Sequence, residues 1–412
     1  MRQPQANDVV LGGQRQPPQG WVLGGLDGVK RRLSHPLAQI RCQALTDAIN
    51  YGDAGLQLVL AALEHPQAQI QWTAHHVLQQ WANRVTPSIE RDRRDLKTLL
   101  TLRSHNPWPL LSCLQTITAH TQAVNGLAIS PDRRHLVSGS NDKTLKIWSW
   151  PQGIAQTTIQ GHSDWVSALT FPPSFANSSR SSQMLISSSM DRTMMVWSFP
   201  EGSLQRILTT PEHFVKSLAL SPDGQLLISG GVDAMLHVWN LATGQSTLRL
   251  SRHQSSIQSV AVSPDGQWIA SGSADGVIHL WALTTGKWVG TLQGHLQMVT
   301  QLVWGPDSRM LISSSTDKTI VLWDAKQQRL SHRFLGHFGE VSCVTLSDDG
   351  RTLFSGGADR LIHIWDVRTR RLRHTLRGHQ TSVNTLTITP NSQRIISGSL
   401  GGIVKIWGVE GT

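Results

Sequence analysis

Cysteine is scarce in this 412-residue chain: Cys42, Cys113 and Cys343 are the whole supply. Three thiols so far apart make neither a disulfide framework nor a zinc cluster, and each is expected to be a small buried hydrophobe in a reducing compartment. Long apolar runs are missing too. No stretch approaches roughly 18 consecutive apolar residues, and the opening MRQPQANDVVLGGQRQPPQG has no apolar core of signal-peptide length. Neither membrane insertion nor secretion is indicated, and a cytoplasmic location is expected. No glycine-rich loop runs into Lys-Ser or Lys-Thr to cradle a phosphate. His75, His76, His363, His374 and His379 show no regular ligand spacing, so no metal and no cofactor is expected. Neither sign of charge dominates: Lys and Arg outnumber Asp and Glu by 12 to 8 in residues 1–106 and by 25 to 19 beyond. That balance permits an acidic partner without demanding one.

What the chain has instead is a repeat. The stretch Gly336 to Asp366, GHFGEVSCVTLSDDGRTLFSGGADRLIHIWD, opens on Gly-His, alternates through VSCVTL, TLFSGG and LIHIWD, and closes on Trp-Asp. Its alternation and its turns, SDDG and ADR, are those of three short strands. The closing tryptophan recurs at Trp148, Trp197, Trp239, Trp281, Trp323, Trp365 and Trp407, with a first interval of 49 residues and 42 thereafter. The opening position recurs as His120, His162, Pro211, His253, His295, His337 and His379. The insertion FPPSFANSSRSSQ, Phe171 to Gln183, accounts for the seven extra residues of repeat two and is expected to be a longer loop.

On these residues the chain resembles the WD-repeat β-propellers, whose four-stranded blades take about 40 to 45 residues each. The resemblance covers roughly residues 110–412 and implies a mainly β fold, a seven-bladed propeller of antiparallel blades. It also implies that the strand before the first repeat, in residues 110–118, completes the last blade. Literal Gly-His is kept at repeats two, five, six and seven, and literal Trp-Asp only at 323–324 and 365–366.

Before the propeller the period changes from 2 to 3.6. LSHPLAQIRCQAL at Leu33 to Leu45 repeats as LEHPQAQIQWTAH at Leu63 to His75. Each copy breaks at His-Pro and resumes near Ala-Gln-Ile, with Ile40, Ala44, Leu45 and Ile49 on one face. The pair resembles HEAT-like helical repeats, and residues 26–103 form the expected helical domain, with a further helix over Ser88 to Arg103. Residues 1–25, with VLGG twice, are an extended leader or a docking segment; residues 104–109 are the linker. This order of parts resembles bacterial multi-domain WD-repeat proteins, whose propellers serve as scaffolds.

Five repeats carry the residue types of a serine hydrolase plus a tryptophan. The sets are His120, Ser138, Asp142, Trp148; His162, Ser187, Asp191, Trp197; His253, Ser271, Asp275, Trp281; His295, Ser313, Asp317, Trp323; and His337, Ser355, Asp359, Trp365. Five copies, with no nucleophile elbow beside any of them, argue for structure rather than catalysis. Each set is expected to form one hydrogen-bonded chain from indole to carboxylate. No catalytic residue is expected. Repeat three, with Pro211 at the His position and His213 two residues out of register, and repeat seven, with Gly401 at the Asp position, lack the full set.

The resemblance further implies that protein partners rest on the face carrying the His and Asp loops. There the positions flanking the first strand's Val, and the one before the Asp, place Trp165, Met190, Phe214, Lys216 and Val232 together in repeats two and three, and Met298 in repeat five. A non-enzymatic interaction scaffold is the expected function. The alternatives are binding of nucleic acid or of an acidic protein at the basic edge of Arg368, Arg370, Arg371, Arg373 and Arg377, with edge protection as the simpler reading, and an enzyme site in the channel, for which the sequence has no asymmetric acid–base or metal set.

Overall fold

In a computed structural model, the described residues are 25–62, scattered positions between 65 and 78, and 111–172, 184–210, 213–389 and 394–408. The leader, the helix expected over 88–103, the linker, Pro211 and most of the 171–183 loop lie outside them. Two compact units emerge, one N-terminal and helical, the other Ser112–Gly408.

In the helical unit, α1 (Gly25–Leu33) ends just before His35-Pro36, and α2 (Ala38–Ala48) follows the break. A 3-10 turn, Ile49–Tyr51, leads into α3 (Gly52–Ala61). Proline at 36 has no N–H to give and clashes with a preceding helical turn, so the chain must restart. Equivalent positions of the two sequence copies enter one core: Ala44 and Ala74, Ala48 and Leu78, with Val29, Leu45 and Val59 among them. The Thr73 hydroxyl reaches Cys42 Sγ at 3.2 Å, and Arg32 pairs with Asp47 at 2.9 Å. Among the described residues no helix is long and apolar enough to cross a membrane.

The second unit is seven sheets of four antiparallel strands. Blade one contains β2 (Val124–Ile129), β3 (His135–Ser140), β4 (Leu145–Ser149) and β5 (Ala155–Ile159), and blades two to six repeat that order. Blade seven takes three strands, Val383–Ile388, Ile395–Ser399 and Ile403–Gly408, and borrows its fourth, β1 (Ser112–Thr118), from the other end of the repeats. The ring is closed by pairing Thr118 with Ile403 and Ser112 with Gly408. Closure removes two open strand edges.

Every first strand shifts register just after its Val or Ile, as at Val124/Gly126, and every described third-to-outer strand pair shifts just before its Trp, as at Ile147/Trp148. Such bulges add twist, which lets flat hairpins become propeller blades. The core lies between blades: Val137, Leu145 and Ile147 of blade one meet Val166, Leu185 and Trp197 of blade two, and Ile396 and Val404 of blade seven meet Val124 and Trp148 of blade one. Second strands are buried on both faces, so they read as small and apolar residues without alternation. At Gly139 and Gly398 a Cβ would stand 2.8 Å from Val166 and 2.7 Å from Val124 of the next blade. Glycine there sets how closely the blades approach.

Candidate protein-binding face

In blades one, two, five and six the expected chain is complete. The indole N–H of Trp148 donates to Ser138 Oγ (2.9 Å), Ser138 sits 2.8 Å from His120 Nε2, and His120 Nδ1 lies 2.8 Å from Asp142 Oδ2. Blade two repeats this with 2.8 Å at each step from Trp197 through Ser187 and His162 to Asp191. Blade five has 2.7, 2.7 and 2.9 Å from Trp323 to Asp317, and blade six 2.9, 2.7 and 2.8 Å from Trp365 to Asp359. An ionised carboxylate only accepts, so Nδ1 carries the imidazole proton and the serine hydroxyl donates to Nε2.

Each serine in these chains is wholly buried. A hydroxyl sealed from solvent meets no substrate, and what it does is satisfy two buried neighbours. Glycine before the histidine has its own reason: at Gly336 a Cβ would stand 2.8 Å from the Trp365 ring edge. Burying an indole is worth roughly 2–3 kcal/mol and its hydrogen bond about 1 kcal/mol, so packing holds the tryptophan and the polar chain positions the loops. The carboxylate does that positioning. Asp359 also accepts the backbone N–H of Phe338 (3.1 Å) and of Leu361 (3.1 Å), clamping the histidine loop to the turn. Burial on its own would raise the Asp142 and Asp359 pKa values, but hydrogen bonds to histidine and to neighbouring hydroxyl or N–H groups outweigh it and hold both below the usual range.

Three blades depart. In blade four, His253 Nε2 meets Ser271 (2.8 Å) and Trp281 donates to Ser271 (2.9 Å), but His253 and Asp275 are not joined. The expected four-residue chain stops at the imidazole, and Nδ1 is a buried atom without a partner. Asp275 is exposed. Thr144, Thr193 and Thr319 also hold the carboxylate at 2.6 Å in blades one, two and five, while blade six, with Leu361 there as blade four has Val277, stays closed without such a hydroxyl. Blade seven also ends at its histidine: Trp407 to Ser397 is 2.8 Å, Ser397 to His379 2.6 Å, and His379 Nδ1 is unpartnered. Gly402 shows why that turn is rich in glycine. Its φ is +76°, and a Cβ would lie 2.1 Å from the His120 carbonyl, where the closing strand leads into blade one. Burial, with the neighbouring His279, pushes His253 down to about 4, and burial, with Lys405, does the same to His379.

Blade three keeps Trp239 to Ser229 (2.9 Å) and gives its aspartate other company: Asp233 Oδ2 lies 2.7 Å from His237 Nε2 and 3.1 Å from His213 Nε2. Residue 213, out of register along the chain, thus reaches the turn in space.

The rim positions form a regular set. In every blade the residue before the Asp (or before Gly401) donates its N–H to the carbonyl of the residue before the first-strand Val or Ile: Met190 to Trp165 at 2.9 Å, Val232 to Phe214 at 3.1 Å, Thr316 to Met298 at 3.0 Å, and likewise in the rest. Trp165 (46% exposed), Phe214 (39%) and Val232 (47%) stand out from adjacent blades. The Arg192 guanidinium of blade two lies over the Phe214 ring of blade three at 5.8 Å, and Ser167 of blade two donates to the Val215 carbonyl at 2.6 Å. Met190, Lys216 and Met298 are only half-buried rather than projecting. Burial lowers the Lys216 pKa.

Two large residues on the same loops escape the rim pattern: Leu296 (86% exposed) and Phe338 (84%). Both directly follow the blade histidine, and their N–H groups bond Asp317 and Asp359. Counting the position after the histidine as outward-facing finds them.

The arginine edge is as expected in place. Arg371 and Arg373 lie on the outer strand Arg371–Leu376, Arg368 and Arg370 in the preceding turn, Arg377 just after it, and all five are exposed. Arg373 is paired with Asp366. Cys343 is buried as expected, whereas Cys42 is half-buried and Cys113 exposed, the latter because β1 is an outermost strand with one open side. Burial pushes the Cys343 thiol far up. His363 places Nδ1 2.8 Å from Thr375, and His374 is half-buried; His75 and His76 lie outside the described residues.

Seven sheets, each with a tryptophan–serine bond at the same station and a ring closed by a borrowed strand, define a seven-bladed β-propeller of the repeat type. The chain belongs to the WD40 family, described as WD domain, G-beta repeat, which matches residues 111–149, 153–198, 202–240, 244–282, 286–324, 328–366 and 370–408. It is similar to nuclear distribution protein PAC1 of Tuber melanosporum, 38% identical over 77 residues, or 18% of this chain and 17% of that protein. Nuclear distribution protein nudF of Aspergillus terreus is 40% identical over 63 residues, 15% of this chain and 14% of its own. Protein transport protein SEC13 of Pyricularia oryzae is 33% identical over 86 residues, 16% of this chain and 30% of its own. The chain therefore matches less than a third of the length of each of these relatives. All three are fungal, so the bacterial likeness suggested by the order of parts gains no support from them.

Proposed function

We propose that this chain is a non-enzymatic scaffold that assembles protein partners on the His/Asp-loop face of its propeller, through the sector of Trp165, Phe214 and Val232. Propellers of this family serve as protein-interaction scaffolds. One observation carries the assignment to this sector: three large apolar side chains, from two adjacent blades packed on each other, stand exposed at one end of the ring. Contiguous exposed apolar surface with an aromatic anchor is what protein interfaces are built on. Met190 and Lys216 of the same two blades are half-buried at its margin, Lys216 adding a positive charge, while Met298 stands in blade five at the position equivalent to Trp165 and Phe214.

The place of action is the cytoplasm, and the sequence repeat within residues 26–103 marks a HEAT-like module. A second reading rests on the exposure of all five arginines at 368–377, which suits an acidic partner there. The test is capture from native lysate with crosslinking and mass spectrometry. Trp165→Ala combined with Phe214→Ala removes the captured proteins while the melting curve holds; full retention of every partner overturns the sector. Loss on neutralising the arginines alone, or in high salt alone, shifts the assignment to the basic edge.

A further inference from the structure

Blade three, whose loop has no histidine at the signature position, gathers three ligand-type side chains at one point. His213 comes from the loop before the strand Val215–Leu220, Asp233 from the turn before Met235–Asn240, and His237 from within that strand. Both imidazoles turn Nε2 toward the same carboxylate oxygen, at 3.1 and 2.7 Å, and the three ligand atoms lie within 4.8 Å of one another. The two rings are stacked, with centroids 5.5 Å apart and planes 29° from parallel.

We propose that His213, Asp233 and His237 form a site for a divalent transition metal, zinc being the ion it suits best. The donor set decides the class. Two imidazoles and one carboxylate suit zinc and its neighbours, whereas calcium and magnesium take oxygen ligands. The spacing fits as well. A tetrahedral ion with bonds of about 2.0–2.1 Å holds its ligand atoms about 3.3 Å apart. Here the two nitrogen–oxygen separations are 3.1 and 2.7 Å, so the ion enters as each imidazole moves its proton from Nε2 to Nδ1 and the ligands spread by a few tenths of an ångström. Each ring then keeps one proton, on Nδ1. Asp233 and His237 are buried side chains while His213 is 19% exposed, which leaves one side open for a water as fourth ligand.

The metal performs a task that blades one, two, five and six do with protons. In blade six the bond from His337 to Asp359 ties loop to turn; in blade three an ion between His213 and Asp233 ties them directly beneath Phe214 and Val232, the residues next in sequence. A second histidine–aspartate–histidine group, His337, Asp359 and His363, is less suited. Both nitrogens of His337 are already engaged, with Ser355 at 2.7 Å and Asp359 at 2.8 Å, and its side chain is 1% exposed.

The test uses the full chain, stripped with a chelator and titrated with Co²⁺, read by its visible absorption, and with Zn²⁺, read by competition with a chromophoric chelator. One equivalent is expected, with Zn²⁺ displacing Co²⁺, a zinc dissociation constant at or below the micromolar range, and a melting temperature that rises with zinc. His213→Gln, at the most exposed ligand, is expected to weaken zinc at least 100-fold and to abolish the zinc-dependent rise in melting temperature. Asp233→Asn is the second variant should His213→Gln fold poorly. No saturable binding overturns the proposal, and so does an equivalent that survives both variants or is lost only with His363→Gln.

Discussion

Blades six and three share a strand order, a register and a tryptophan–serine bond, yet they hold their outer loops by different means. Blade six runs an unbroken chain from Trp365 through Ser355 and His337 to Asp359, with Phe338 and Leu361 N–H groups on the same carboxylate. Blade three has no histidine at that station and surrounds Asp233 with His213 and His237 instead. Blades four and seven do neither, and leave His253 and His379 each with a buried unpartnered Nδ1. The pattern the ring preserves is therefore the tryptophan–serine bond, seven times out of seven, and the fastening of loop to turn is the part that varies.

The largest expected effect comes from breaking a closed blade and comparing it with an open one. Asp359→Ala strands His337 Nδ1 and two backbone N–H groups, and should cost about 2–3 kcal/mol, seen as a fall of roughly 5 °C or more in melting temperature. Asp275→Ala in blade four removes an exposed carboxylate that touches no histidine, and should cost less than about 1 kcal/mol. Equal losses in calorimetry would mean that the histidine–aspartate bond is not what clamps the loop.

Much of this comparison was legible in the chain itself, and the rest was hidden for identifiable reasons. Seven tryptophans at nearly constant spacing announce seven blades because each fills the same buried station, and the borrowed strand in residues 112–118 follows from the offset of repeat and blade. His213 could not be placed by alignment. A shift of two residues in a loop changes its register along the chain and leaves the imidazole within reach of Asp233, and His237 belongs to a strand position outside the repeat signature. The broken link in blade four was equally invisible, since His253, Ser271, Asp275 and Trp281 all occupy their stations and only the side-chain direction of Asp275 differs. Leu296 and Phe338 were missed because outward-facing positions were counted from the valine and the aspartate, never from the histidine.

A smaller effect at the open blades is read by pH. Burial holds His253 and His379 at about 4, against about 6.5 unfolded, so between those values the unfolded chain binds more protons. Their contribution is complete above pH 6.5 and is lost as the pH falls toward 4. Melting at pH 7 and pH 5 should differ by roughly 1–2 kcal/mol per histidine, and His379→Gln should flatten that dependence. An unaltered slope in the variant would show that His379 does not titrate as its burial demands. The smallest effect is a repair. Gly401→Asp offers His379 Nδ1 the acceptor it lacks, close to Thr381, whose Oγ1 now accepts the Gly401 N–H at 2.9 Å. A gain of about 0.5–1 kcal/mol is expected, and a loss would mean that the packing around Thr381 cannot admit a carboxylate.

The borrowed strand ties residue 112 to residue 408, and that has a consequence for how the chain comes into being. On a ribosome, β1 is the first strand of the propeller to emerge and its partner the last, so the opening strand waits through the synthesis of six blades with both edges bare. At about 5–20 residues per second, that interval lasts on the order of 15–60 seconds. For that time the chain is an open arc with an adhesive end, and exchange of β1 with a neighbouring nascent copy is its characteristic hazard.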